Sequence, residues 1–271
     1  MRPVETTKGP VVMRELHSLQ DMLSAEKIQG RVWGMGSDLH PKEILIAAQF
    51  EGAFLAGAFD SQSEMIGLIF SFPTRDPAIQ HSQLLAVTEE WRGQGIGTRL
   101  KWYQRDWCLR HGIQLVRWTV DPLRAANARV NIHHLGGVAS TYLTDYYGPM
   151  QGIDAGNPSD RLLLEWHLQD KRVLVRSSGR LEDHEFADSQ PAFRYESGRP
   201  SDLRFDLACP QIRVPLPDDF VKLSKSDPQS SLAWRLKTRE VFLHYFEKGY
   251  QITEFTAVGG PAYVLERKGD R

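Results

Sequence analysis

One stretch constrains this chain more than any other: Leu84-Leu85-Ala86-Val87-Thr88-Glu89-Glu90-Trp91-Arg92-Gly93-Gln94-Gly95-Ile96-Gly97-Thr98. An apolar strand end runs into a glycine-rich loop, and the loop opens directly into an amphipathic helix over Thr98–His111. Ile96, Leu100, Tyr103 and Trp107 fall on one face of that helix, at the i, i+4, i+7 and i+11 spacing. A helix start fixed to a strand end gathers unpaired backbone N–H groups and the positive end of a dipole in one place. Glycines let a ligand approach that backbone closely, so the segment reads as an anion cradle, most often for phosphate. Arg92 and Arg99 flank it with charge-assisted donors. As a bare turn, Gly93, Gly95 and Gly97 would give up stability without return.

Around this segment, periodicity predicts the order β-α-α-β-β-β-α-β-α-β-β over residues 11–168. The strands are Val11–Arg14, Phe54–Phe59, Met65–Phe72, Ser82–Val87, Gln114–Val120, Val138–Thr144 and Arg161–Leu168. The helices are Leu16–Trp33, Lys42–Phe50, Thr98–His111 and Arg124–Leu135, with Gly34, Gly36 and Pro41 ending the first and Gly136-Gly137 the last. The fold class is α/β (α+β), a mixed central sheet flanked by helices. Residues 169–210, with the charged stretch Glu182–Asp188 and Pro191, Pro200 and Pro210, read as an irregular linker or wrap. Residues 211–271 form an additional small β-α-β-β lobe: strand Ile212–Leu216, helix Ser230–Lys248 and a hairpin of Gln251–Thr256 with Ala262–Arg267. In that helix Leu232, Leu236, Val241, Leu243 and Phe246 are expected to face the core.

Two phosphate-binding patterns fail on spacing. No GxxxxGK[ST] exists, and the third glycine of a dinucleotide fingerprint is replaced by Thr98. What remains is Arg92-x-x-Gly95-x-Gly97, preceded by Leu85-Ala86-Val87. That pattern, within this element order, resembles the acetyl-CoA-binding motif of the GNAT N-acetyltransferase superfamily over roughly residues 11–168. The resemblance implies that the amides of Arg92, Gly93, Gln94, Gly95, Ile96, Gly97 and Thr98 hold the CoA pyrophosphate. It implies that Leu85, Ala86 and Val87 bond the pantetheine arm as if to an extra strand. The thioester would then sit between this strand and Gln114–Val120, where a small-molecule or peptide amine attacks it directly. The implied co-substrate is acetyl-CoA, with no metal. A non-catalytic acyl-CoA-binding or regulatory protein is the rival reading.

The chemistry needs a group to take a proton from an ammonium. His81 precedes Val87 on the same strand, and with a period of two it shares a face with Leu85 and Val87. Its ordinary pKa suits a base, although a histidine at a strand start can be merely solvated. Glu89 is the second candidate. The family's usual acid is a tyrosine four residues before the closing glycine; Ile132 stands there, a departure that puts the acid role in doubt. Tyr142, Tyr146 and Tyr147 are nearby alternatives, with Tyr142 first, and Asn127 is the expected contact to the pantetheine arm, with Asn131 as an alternative.

Composition bounds the rest. The 33 Lys and Arg against 34 Asp and Glu give a net charge of −1, which weighs against a nucleic-acid binder. The rival for such binding is the helix carrying Arg235, Lys237 and Arg239. No apolar run reaches the length of a membrane span, and residues 1–20 lack a signal-peptide core. Cys108 and Cys209 make no disulfide framework, Cys108 reads as buried filler, and His133-His134 point apart on a helix, so no metal is expected. A cytoplasmic protein is expected, and a homodimer is left open. The expected domains are 1–168, 169–210 and 211–271. Residues 211–267 repeat the β-α-β-β order of 114–167, and Leu164-Glu165 is echoed by Leu265-Glu266. The last lobe therefore reads as a half-copy of the acetyltransferase fold without its own glycine loop, or else as an unrelated appendage.

Overall fold

Strand β1 (Val12–Glu15) leads into helix α1 (Leu19–Trp33), whose start is closed by Ser18 and Asp21 as a reciprocal capping box. Helix α2 (Lys42–Phe50), strands β2 (Phe54–Phe59), β3 (Met65–Pro73) and β4 (Ile79–Val87), helix α3 (Ile96–Arg110) and strand β5 (Leu115–Val120) follow. The computed structural model describes residues 3–34, 39–149, 156–181, 186, 188–196 and 198–269. Gly36 and most of the Glu182–Asp188 stretch lie outside the described residues. Two compact units form: residues 1–118 with 167–169, and residues 119–166 with 170–271. The division between the units falls after Trp118, with residues 167–169 returning to the first.

In the first unit β1 to β4 pair antiparallel in chain order, and β5 joins β4 in parallel. The parallel ladder runs Ile79–Leu115, Gln80–Val116 and His81–Arg117, and among the described residues it ends there. On one sheet face α1 and α2 bury Leu16, Met22, Ala25, Ile28 and Leu45 against Leu55, Leu68, Phe70, Leu84 and Ala86. On the other face α3 lies so close that a Cβ at Gly67 would come within 3.0 Å of Leu100 and 3.1 Å of Ile96. The expected apolar face of α3 holds: Ile96, Leu100 and Trp107 are buried and Tyr103 half-buried.

The second unit holds α4 (Ala125–Ala128), continued by a π-helix at Arg129–His134, then β6 (Val138–Leu143), β7 (Arg161–His167) and α5 (Lys171–Ser177). Three short strands follow, β8 (Gln190–Pro191), β9 (Arg194–Glu196) and β10 (Arg199–Ser201). The chain ends with β11 (Gln211–Pro215), α6 (Phe220–Ser226), α7 (Pro228–Glu247), β12 (Tyr250–Thr256) and β13 (Ala262–Arg267). The sheet order is β7-β6-β12-β13-β11-β8, and β9 and β10 form a separate hairpin. The stretch read as irregular therefore contributes a helix and an edge strand. Helix α5 is fixed by Arg172 and Arg176, which bond Glu254 of β12 at 3.1 and 2.8 Å.

The last lobe does not hang free: β12 pairs with β6 at Ile252–Ala139. The hairpins β6–β7 and β12–β13 also share an irregularity. Ala139 pairs with Leu164 and Thr141 with Leu163, so Ser140 is an extra residue. Ile252 pairs with Leu265 and Glu254 with Val264, so Thr253 is an extra residue at the same step. Bulges re-aim a strand and are placed features rather than accidents.

Helix α7 turns a different face inward than its leucines suggest. Leu232, Leu236 and Leu243 are exposed, whereas Trp234, Arg235, Thr238, Val241, Phe242 and Tyr245 are buried. The buried face includes a charge because Arg235 meets Asp121 in a two-bond pair at 2.9 and 2.6 Å. Arg239 grips Asp160 in the same way, at 2.8 and 2.7 Å. This corrects the reading of Arg235 and Arg239 as a basic surface for nucleic acid, since both charges are spent inside the unit.

Candidate functional site

The glycine loop keeps the shape its sequence requires. After Val87 a single 3-10 turn, Glu89–Trp91, leads to Arg92 in extended backbone. Gly93 and Gly95 then take φ of +76° and +73°, a region that costs an L side chain roughly 1–2 kcal/mol. Gly95 is the N-cap of α3 and supplies no side-chain cap, and no acidic residue stands in the first turn. The helix start therefore offers its amides and dipole uncompensated. A Cβ at Gly93 would meet nothing within 4 Å, and one at Gly95 only Arg99 Nε at 3.7 Å, so the loop is open where the anion is expected. A Cβ at Gly97 would come within 3.5 Å of Leu85 Cδ2, so a side chain there would crowd the end of β4.

Two residues that sequence reasoning missed stand against this loop. Thr7 Oγ1 donates to Gln94 Oε1 at 2.6 Å, and Lys8 Nζ donates to the Glu90 carbonyl and lies 5.9 Å from the Trp91 ring centroid. They come from a turn closed by Thr6 and Gly9, which no motif marks. Gln94 is thereby held by the N-terminal segment, and a further cation stands beside the cradle.

His81 lies on β4, next to Phe72 across one ladder and Arg117 across the other. The alternation used to place it does not run through the strand. Phe70 pairs with Leu84 but Ser71 with Ser82, so Gln83 is an extra residue that reverses the facing. Leu85 and Val87 face α3, where Gly97 lies, and Ser82 bonds Lys101 of α3. His81 instead stacks on Phe72, ring centroids 5.0 Å apart, and Phe72 packs on the α1–α2 core. His81 therefore does not share a face with Leu85 and Val87 as the period of two predicts. Burial, with the charges of Arg117 and Lys101, holds its pKa below the ordinary 6.5. Its imidazole is neutral at pH 7 and able to accept a proton.

Glu89 is exposed on the short turn, with no bond to orient its carboxylate among the described residues. Tyr142 does not fit the acid role. It is 8% exposed, and its hydroxyl donates to Asp160 Oδ2 at 2.7 Å. Burial, the neighbouring carboxylate charge and that bond all push its pKa up, so the proton is held. Tyr146 and Tyr147 are exposed, and Tyr147 shares a hydrogen bond of 2.8 Å with Thr119. Asn127 is exposed in α4, whereas Asn131 is buried in the π-helical turn, where its carbonyl accepts from Gly137 N at 2.9 Å. Among the described residues no group of three or more His, Cys, Asp or Glu side chains could hold a metal ion, and no helix is long and apolar enough to cross a membrane.

Residues 17–131 match the model of the family described as "Acetyltransferase (GNAT) family". No curated protein matches the chain. Solved structures that resemble it include the ribosomal-protein-S18-alanine N-acetyltransferase from Escherichia coli, at 17% identity and a TM-score of 0.49 over 59% of this chain and 95% of that one. An acetyltransferase of the GNAT family from Streptococcus pneumoniae aligns at 15% identity and a TM-score of 0.48, over 57% of this chain and 98% of that one. The IAA acetyltransferase from Bacillus cereus aligns at 14% identity and a TM-score of 0.43, over 57% and 97%.

Proposed function

We propose that this chain, whose residues 17–131 match the GNAT acetyltransferase family model, transfers an acetyl group from acetyl-CoA to the amine of a small molecule or peptide. The observation that carries the reading is the uncapped start of α3 behind two glycines at positive φ, a cradle open to an anion. The backbone of Arg92–Thr98 would hold the pyrophosphate, with Arg92 and Lys8 adding charge. Leu85, Ala86 and Val87 would bond the pantetheine arm, and Asn127 would add a contact to it. Bound there, acetyl-CoA supplies an activated acyl carbon; this chain supplies orientation and a proton acceptor.

His81 is the proposed base. The amine nitrogen forms its bond to the acyl carbon, the carbon–sulfur bond breaks, and the ammonium proton passes to the His81 imidazole, which is neutral at pH 7. The leaving thiolate takes its proton from water, since Tyr142 is committed to Asp160. That commitment also favours the second reading, an acyl-CoA-binding protein without turnover. Residues 211–267 are proposed as a half-copy of the acetyltransferase fold, supported by the matching bulges at Ser140 and Thr253. Release of free thiol from acetyl-CoA, tested against a panel of primary amines and amino-terminal peptides, decides between the readings. An acceptor-dependent thiol signal supports catalysis; CoA binding with no turnover on any acceptor supports the second.

A further inference from the structure

Beneath β4 lies a buried polar cluster that the reading above does not use. Lys101 of α3 is 2% exposed, and no carboxylate pairs with it among the described residues. Its Nζ donates to Ser82 Oγ at 2.7 Å and to Gln104 Oε1 at 3.2 Å, and lies 3.8 Å from the Trp118 ring centroid. Ser82 and Trp118 directly follow His81 and Arg117, the last pair of the parallel ladder. One side chain thus touches both strands at the first step beyond their last pairing. The anchor continues through Gln104, which donates to Gln80 Oε1 at 3.2 Å; the same oxygen accepts from Ser71 of β3 at 2.8 Å and from Cys108 at 3.1 Å. A leucine or methionine would fill this place at less cost, because a buried charge without a counter-charge is destabilising.

We propose that Lys101 is a positioning residue: it brackets β4 and β5 where their ladder ends, and so sets the seat of the pantetheine arm. The second half of that statement rests on the acyl-CoA reading above; the first half does not. As an ammonium, Lys101 has a donor for Ser82, a donor for Gln104 and a charge for the face of Trp118. As an amine it loses the ring contact. Burial brings its pKa down to about 7, so the closed cluster favours the amine, which keeps donors for Ser82 and Gln104, and the bracket holds more firmly as pH rises past neutrality. The titratable group facing it is Cys108 on its own helix, whose thiol burial pushes up to about 12; the charge of Lys101 also reaches His81, on the opposite face of β4 beside Arg117 of β5.

Amide hydrogen exchange on the full chain without ligand tests the bracket. Lys101→Met is expected to speed exchange at least tenfold in peptides covering 79–82 and 115–118, relative to β2. Ser82→Ala, which removes the acceptor on β4, is expected to act in the same direction. In the unaltered chain, exchange corrected for the intrinsic rate is expected to fall in the same peptides between pH 6 and 8.5, and to stay flat in Lys101→Met. Calorimetry with coenzyme A is expected to show at least tenfold weaker binding to Lys101→Met. Unchanged exchange in both variants would overturn the proposal. If the unaltered chain does not bind coenzyme A, the acyl-CoA reading fails while the exchange result still decides the bracket.

Discussion

Replacing Lys101 by Met should make the protein more stable near neutrality, by an amount that depends on pH. The folded chain holds this lysine at about 7, against an ordinary 10.5. Between those values the unfolded state binds a proton that the folded state does not, so stability rises with pH across the window. One group contributes a slope of about 1.4 kcal/mol per pH unit. The 3.5-unit difference from 10.5 to about 7 sets a ceiling of roughly 5 kcal/mol for the cost of the charge below pH 7. Methionine has a similar length, carries no charge and removes that term. The advantage of Lys101→Met over the unaltered chain should therefore shrink by roughly 2 kcal/mol between pH 7 and 9. With a urea slope of about 3 kcal/mol/M, the gap between the two unfolding midpoints should narrow by about 0.7 M. His81 and Cys108 are present in both proteins, so their own titrations largely cancel in the difference. A gap that stays constant from pH 7 to 9, or a variant less stable at pH 7, would refute the reasoning.

His81→Ala is expected to lower kcat by roughly a hundredfold, and the acid limb of the kcat/KM profile, placed below pH 6.5 by the lowered pKa, should vanish. Arg235→Met removes both bonds of the buried pair and leaves Asp121 with Arg161 at 3.9 Å as counter-charge; it should cost about 3 kcal/mol in urea unfolding, whereas adding Asp121→Asn should recover part of the loss. Gly93→Ala meets no neighbour but sits at φ +76°; it should cost about 1 kcal/mol by thermal unfolding and leave coenzyme A binding within a few-fold.

Local signals carried much of the fold. Helix α2 and strand β2 have the bounds their periodicity predicts, and the Gly93–Gly97 loop meets α3 as its glycines require. What failed to show was anything set by pairing across the chain. The bulge at Gln83 turns His81 away from Leu85, and only the β3–β4 register reveals it. No sequence pattern marks Lys101, because its partners Ser82 and Trp118 come from two strands. Helix α7 misled for the same reason: Arg235 belongs to the buried face once Asp121 is opposite it, and Leu236 then falls outside. Tyr142 stands out in the sequence only as a tyrosine near the helix that lacks one, while Asp160, which accepts its hydrogen bond, lies one strand away.

Calorimetric titration of coenzyme A into the unaltered chain and into Gly95→Asp tests the central claim most directly. At Gly95 the new carboxylate would stand at the uncapped start of α3, where it would occupy and repel the place of the pyrophosphate. The account predicts saturable binding by the unaltered chain and at least a tenfold loss in the variant, with the unfolding midpoint of the first unit retained apart from the strain at φ +73°. Equal affinity in the two proteins, or no binding by either, would contradict it.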